Sequence, residues 1–284
     1  MTEIRTIGVV GLGAMGAGIA QLAVEAGYDV VGREVTNEVG ARAATRIGHF
    51  LARKVEKGQL AREACDAAIG RLETTADLER LADCDLVIEA IVEELAPKRS
   101  LFTELDRICR ADAILATNTS ALSVTEIAAA TTRPERVVGM HFFNPAPLMP
   151  LVEVVQAELT SEAVVAVAAA VGTRLGKEVV CCHDTPGFVV NRVLIPLLND
   201  CLRVLDEARV TPEALDVALK NGAGWPMGPC ALADLIGIDV HVHAAEALYA
   251  RSRDPRMAPP ARIVAMRDAG LLGRKSGRGF YTYD

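Results

Sequence analysis

The sequence predicts an α/β protein, a doubly wound parallel sheet followed by an all-helical C-terminal domain, and three observations carry that expectation. Over residues 1–184, short apolar runs rich in β-branched residues alternate with stretches of helical periodicity, the pattern of parallel strands with helices packed on both faces. After Asp184-Thr-Pro-Gly187 the alternation stops, and helical segments follow one another through Gly- and Pro-containing joints. The length of 284 residues is about twice that of an ordinary domain of roughly 100–200 residues. Two domains are therefore expected, 1–184 and 185–284.

The elements follow in order. Ile4–Val10 reads as a strand and runs into Gly11-Leu-Gly-Ala-Met-Gly16, after which Ile19, Leu22, Ala23 and Ala26 recur at helical spacing until Gly27. Tyr28–Val31 reads as a second strand, and Ala41–Lys57 as a helix. Further strands are expected at Asp85–Ile91, Ala113–Thr117, Arg136–Met140 and Leu151–Val155. Beyond the boundary, helices are expected at Val189–Glu207, Pro212–Lys220, around Leu232–Tyr249 and at Ala261–Ala269.

Composition narrows the function. Hydrophobic residues make up 51% and aromatic residues only 4%, so Ala, Val, Leu and Ile must build the core. A net charge of −7 speaks against a general nucleic-acid binder, which needs a basic surface. The longest uncharged run, Val137–Val152, carries three prolines and falls short of the roughly 20 apolar residues of a membrane helix, so no membrane role is expected. The N-terminus lacks a signal-peptide layout. Seven cysteines form neither a CxxC pair nor a zinc-like cluster. This predicts free, buried thiols, no metal and a cytoplasmic protein.

Three groups of residues point to chemistry. Gly11-x-Gly13-x-x-Gly16 lies between a strand and a helix, the context in which this motif binds a dinucleotide. The first glycine makes the turn, the second admits a pyrophosphate to the backbone, and the third lets helix pack on strand. Leu12, Ala14 and Met15 complete that loop, whose helix N-terminus offers N–H groups to the phosphates. Glu34, eighteen positions after Gly16, can bind a ribose 2′-hydroxyl and repel a 2′-phosphate, which favours NAD over NADP; Arg33 beside it blurs the choice. Between Ala41 and Lys57, the residues Arg42, Arg46, Arg53 and Lys57 fall within about 60° on one helical face, opposite Ile47, Leu51 and Val55. A solvated face and an anion site explain this stripe equally well.

The third group lies at the carboxyl ends of strands, where open parallel sheets bind ligands. His141 follows one strand and can exchange a proton with an alcohol near neutral pH; Glu153 can hold its other ring nitrogen. Asn118 and Ser120 follow another strand. Ser123 reads as a helix cap. Asn191 opens the helical domain. The remaining histidines, His49, His183, His241 and His243, read as structural or surface residues.

At these residues the chain resembles the short-chain L-3-hydroxyacyl-CoA dehydrogenase family over nearly its whole length. The resemblance rests on Gly11–Ala20, Val87-Ile-Glu-Ala-Ile-Val-Glu93, Thr117-Asn-Thr-Ser120, His141-Phe-Phe-Asn-Pro145, Leu151-Val-Glu-Val154, Asp184-Thr-Pro-Gly-Phe188 through Asn191-Arg192, Gly222-Ala-Gly-Trp-Pro-Met-Gly-Pro229 and Gly277-Arg-Gly-Phe-Tyr281. It implies a Rossmann-type NAD-binding domain and a helical domain that binds substrate and forms a homodimer. It implies reversible oxidation of an (S)-3-hydroxyacyl-CoA, with 3-hydroxybutyryl-CoA as the expected substrate, by hydride transfer to NAD. His141 is the implied general base, oriented by Glu153, with Ser120 and Asn191 at the reacting oxygen or thioester. Glu93, Lys98, Asn118, Ser120 and Lys275 fall on NAD-contacting positions. Lys57 and Ser120 fall on CoA-contacting positions, which tips the basic stripe, Arg53 included, towards substrate. The family often carries a serine where Phe50 stands, so a polar contact there is lost. A dehydrogenase of a smaller hydroxy acid or of carnitine, or an NAD-binding protein without turnover, remains the alternative.

Overall fold

β1 (Thr6–Val10) is an apolar run whose last four residues are buried, and it lies inside an eight-stranded sheet. The computed structural model describes residues 3–283. By internal contacts the chain divides into two units, Met1–Thr185 and Pro186–Asp284.

In the first unit β1 leads to α1 (Ala14–Glu25), β2 (Asp29–Arg33), α2 (Asn37–Glu56), α3 (Arg62–Gly70) and β3 (Leu72–Thr75). Then come β4 (Leu86–Glu89), α4 (Leu95–Ile108), β5 (Ile114–Thr117), α5 (Val124–Ala128), β6 (Val137–Phe142), β7 (Leu151–Gln156), α6 (Glu162–Arg174) and β8 (Glu178–His183). The strand order is β3-β2-β1-β4-β5-β6-β7-β8. Every neighbouring pair is parallel except β6 with β7. The chain winds outward from β1 through β2 to β3, then returns to β4 on the other side. This reversal opens a crevice between the carboxyl ends of β1 and β4.

Local sequence explains the helices that flank the crevice. α1 is buried almost all round from Gly16 to Val24, as its run of small and aliphatic residues requires. α2 is amphipathic: Ala43, Ile47 and Leu51 are buried, and the Thr36 side chain caps it by accepting from the Val39 N–H.

The sheet has two strands that the sequence reading lacks, β3 and β8. Both are edge strands, β3 only four residues and half-exposed, β8 largely exposed, so neither shows a buried apolar run. β2 starts one residue later than expected and extends to Arg33, and α2 starts four residues earlier than expected.

The second unit is helical: α7 (Val190–Glu207), α8 (Pro212–Gly222), α9 (Pro229–Ile236), α10 (Ile238–Ser252) and α11 (Ala261–Asp268). The stretch around Leu232–Tyr249, expected as one helix, breaks at Gly237, whose φ of 99° lies outside the helical range. Two aspartates tie down the end of the chain. Asp216 accepts from the N–H groups of Cys230 and Ala231 at the start of α9 and from the Tyr281 hydroxyl. Asp234 accepts from the N–H groups of Phe280 and Tyr281 and from the Tyr283 hydroxyl. The glycine- and tyrosine-containing motifs of this unit thereby have a structural use.

His241 is buried against the Asn199 side chain at 2.9 Å, and burial lowers its pKa to about 4, so it stays neutral as a structural residue. All seven cysteines are free thiols. Cys65, Cys84, Cys109 and Cys230 are buried, whereas Cys181 is exposed on edge strand β8, contrary to the expected burial. Among the described residues no helix is long and apolar enough to cross a membrane.

Candidate active site

The glycine loop closes the crevice at its β1 side. Gly11 has a φ of 86°, and a Cβ there would stand 2.8 Å from the Ala90 carbonyl oxygen on the neighbouring loop. A Cβ on Gly16 would overlap the Gly11 carbonyl oxygen, so only glycine lets α1 begin this close to the strand. At Gly13, by contrast, a Cβ would meet nothing within 4 Å. Gly13 is also the N-cap of α1, with no side-chain cap and no acidic residue in the first turn. An open backbone at an uncapped helix N-terminus suits a pyrophosphate. Leu12, Ala14 and Met15 lie in this turn, as expected.

Glu34 stands just past β2 and reaches over the loop, accepting from the Leu12 N–H at 2.6 Å. Its carboxylate is thus at the rim of the glycine loop. Arg46, read as part of the basic stripe, turns to the same loop and donates to the carbonyls of Leu12 and Gly13 at 2.8 and 3.1 Å. It braces the loop from below.

On the β4 side lies a buried ionic network. Glu89 ends β4, is fully buried, and pairs with the Lys98 ammonium of α4 at 2.5 Å. Its other oxygen accepts from the Thr117 hydroxyl at 2.7 Å. Lys98 lies 3.4 Å from Glu93, and one Glu93 oxygen accepts from the Thr119 hydroxyl and from the Ser120 and Ala121 N–H groups. Burial pushes the Glu93 pKa up, but the Lys98 charge and these hydrogen bonds outweigh it and hold it below its ordinary value. Lys98 is itself 1% exposed. Asn118 accepts from the Phe142 N–H at 2.9 Å, joining the ends of β5 and β6. Ser123 caps α5 as expected and also donates to Asp184. Sequence reasoning assigned no role to Glu89, Thr117 or Thr119. A carboxylate inside the apolar run Val87-Ile-Glu-Ala was the available signal, since a buried charge needs a partner.

His141 is not the residue after a strand, as expected, but lies within β6. The reason is the antiparallel β7, which pairs His141 directly with Glu153 and extends the ladder to Phe142. Residues opposite each other on paired strands point to the same face, and here Nδ1 of His141 meets Oε2 of Glu153 at 2.7 Å. The histidine is 5% exposed and the glutamate 0%. A carboxylate on Nδ1 fixes the tautomer that makes Nε2 the basic nitrogen, and it stabilises the imidazolium formed when Nε2 takes a proton. The connection from β6 to β7 is pinned by buried Lys177, whose ammonium donates to the carbonyls of Ala146 and Met149 at 2.7 and 2.8 Å.

That connection walls a cleft of about 480 Å³ whose other sides are α1 and α2. Phe50, Arg53, Lys57, Pro147 and Leu148 are among its lining residues. The expected CoA-contacting cations Arg53 and Lys57 therefore share one cleft. Asn191 and Lys275 belong to the helical unit. Asn191 is half-buried in the first turn of α7, and Lys275 is exposed and ion-paired with Asp239 at 2.6 Å.

Comparison with known proteins places the chain in a family. Residues 6–185 match the family model described as 3-hydroxyacyl-CoA dehydrogenase, NAD binding domain, and residues 187–283 that family's C-terminal domain. A probable 3-hydroxybutyryl-CoA dehydrogenase of Bacillus subtilis is 44% identical, over 99% of this chain and 98% of that one. A 3-hydroxyadipyl-CoA dehydrogenase of Escherichia coli is 42% identical over 100% of this chain and 60% of its own length. A crystal structure of (S)-3-hydroxybutyryl-CoA dehydrogenase from Ralstonia eutropha superposes with a TM-score of 0.95 at 39% identity, covering 99% of this chain and 100% of that one. The chain belongs to the 3-hydroxyacyl-CoA dehydrogenases, a family of NAD-dependent oxidoreductases, and carries that family's NAD-binding domain in its first unit.

Proposed function

We propose that the chain interconverts (S)-3-hydroxyacyl-CoA and 3-ketoacyl-CoA, with the four-carbon 3-hydroxybutyryl-CoA as preferred substrate. The observation that carries this reading is the His141–Glu153 pair, held in strand register at 2.7 Å. In the oxidative direction Nε2 of His141 takes the 3-hydroxyl proton as the C3–H bond gives up its electron pair. NAD, when bound, supplies the hydride acceptor. Glu153 steadies the imidazolium, and in the reductive direction the same proton returns to the carbonyl oxygen. Ser120 and Asn191 contact the reacting oxygen or thioester, and Glu93 sets the Ser120 backbone. The glycine loop and Glu34 hold the dinucleotide, Lys98 acts on it through Glu93, and Asn118 and Lys275 are further contacts of NAD. Arg53 and Lys57 hold the CoA phosphates. A homodimer through the helical unit is supported by exposed Val193, Leu197 and Val204, which recur on one face of α7. The free thiols support a cytoplasmic location.

The test is a panel of 3-ketoacyl-CoA substrates of increasing length, including an ω-carboxylated one, each with NADH and NADPH. Acetoacetyl-CoA with NADH is expected to give the highest kcat/KM. Glu34→Ala should raise KM for NADH by roughly 10- to 100-fold, the worth of a charged hydrogen bond, and narrow the preference over NADPH. A wild type that prefers NADPH would transfer control of the pocket to Arg33.

Charge reversal at Arg53 and Lys57 together should raise KM for acetoacetyl-CoA several-fold at low salt and less at high salt, because exposed charges are screened. KM for NADH should hold. An acyl-CoA KM indifferent to the reversal would return these residues to a solvated face.

A further inference from the structure

The cleft beside α2 contains an aromatic ring that packing does not explain. Phe50 is 46% exposed, whereas Phe102 and Phe142 of the same unit are 0% and 2% exposed. Leu148, 79% exposed, lines the same cleft from the connection between β6 and β7, with Pro147 beside it. Phe50 precedes Arg53 by three positions and Lys57 by seven, so all three fall on one side of the helix. The other cations of the cleft are committed: Lys54 pairs with Glu25 at 2.6 Å, and Arg46 holds the glycine loop. Arg53 and Lys57 have no ion-pair or hydrogen-bond partner among the described residues. An open aromatic face next to two unspent cations matches a flat heteroaromatic base that carries phosphates. The acyl end of a CoA thioester offers no such charge, and its reacting carbon has to approach His141.

We propose that Phe50 is the adenine platform of the acyl-CoA site, the purine lying on the phenyl face beside Leu148 with Arg53 and Lys57 on the neighbouring phosphates. The proposal rests on the acyl-CoA reading above and adds the residue that recognises the base.

The experiment compares acetoacetyl-CoA with acetoacetyl-pantetheine, which lacks the nucleotide, in Phe50→Ala and Phe50→Trp. Phe50→Ala is expected to raise KM for acetoacetyl-CoA about tenfold, towards the low end of base stacking on an aromatic side chain. Its kcat, its NADH affinity and its KM for acetoacetyl-pantetheine should stay at wild-type values. Phe50→Trp should keep the wild-type KM, and free CoA should quench its fluorescence over that of Trp225, the single native tryptophan. An equal rise in KM for both thioesters would put Phe50 on the pantetheine or acyl arm and overturn the proposal. So would an unchanged Phe50→Ala in a protein whose acyl-CoA KM still responds to reversal of Arg53 and Lys57. If neither change moves that KM, the acyl-CoA reading of the cleft fails as well.

Discussion

His141→Gln is expected to lower kcat by about 10²–10⁴-fold, the usual contribution of a positioned general acid–base group, while NADH affinity survives. Glutamine keeps a polar side chain of similar reach in β6 but cannot take a proton near neutrality. The glycine loop and Glu34 follow β1 and β2 and are untouched. Glu153→Gln should also lower kcat, since an amide stabilises imidazolium less well than a carboxylate. Because the 2.7 Å contact links the two side chains, the double variant should lose less than the product of the single losses. Fully multiplicative losses would mean that the residues act independently. Near-normal kcat in a folded, NADH-binding His141→Gln protein would remove the mechanism.

Whether a feature could be read in the sequence depended on whether its parts are neighbours along the chain. The glycine loop and Glu34 were legible because a strand, a turn, a helix and a second strand form one continuous unit. The contact of Glu153 with His141 was expected, but the register that makes it, β7 running antiparallel to β6, is announced by no local pattern. That pairing also moved His141 from a loop into a strand. The edge strands β3 and β8 escaped because hydrophobic patterning reports burial, and edge strands have little. Arg46 shows the same limit from the other side. Helical spacing placed it on a cationic stripe, yet its guanidinium bonds carbonyls more than thirty residues earlier in the chain. A wheel of angles gives the face a side chain leaves from, while its partner is set by tertiary packing.

The same distinction separates the two kinds of charge around the site. Arg53 and Lys57 are exposed and unpaired among the described residues, so altering them should change binding and leave the fold alone. Glu89 and Lys98 are buried and paired, so altering one should strike the fold before the chemistry. Removing one partner of a buried pair leaves an uncompensated charge where water cannot reach it.

Lys98→Met should therefore destabilise the protein by about 3–5 kcal/mol, the usual cost of breaking a buried ion pair on one side. Lys98 is 1% exposed and lies 2.5 Å from Glu89 and 3.4 Å from Glu93, so its loss strands two carboxylates together. The urea midpoint should fall steeply, whereas Glu89→Gln combined with Lys98→Met should recover much of the loss, because a neutral amide can still accept from Thr117. A pH series separates this account from simple loss of packing. In the wild type the Glu93 pKa is held below its ordinary 4.5. Its ionised form thus contributes stability in full above that value, and the contribution is lost as pH falls through the lower folded pKa. Without the ammonium, burial, the largest influence on Glu93, is opposed only by hydrogen bonds. The folded pKa should rise towards or past 4.5, so the acid destabilisation that this carboxyl contributes should shrink or reverse, and the variant should lose less stability on acidification than the wild type does. A Lys98→Met protein with a wild-type urea midpoint and an unshifted acid limb would show that the network carries no charge worth compensating. A fall in stability with an unshifted acid limb would assign the loss to packing of the lysine stem.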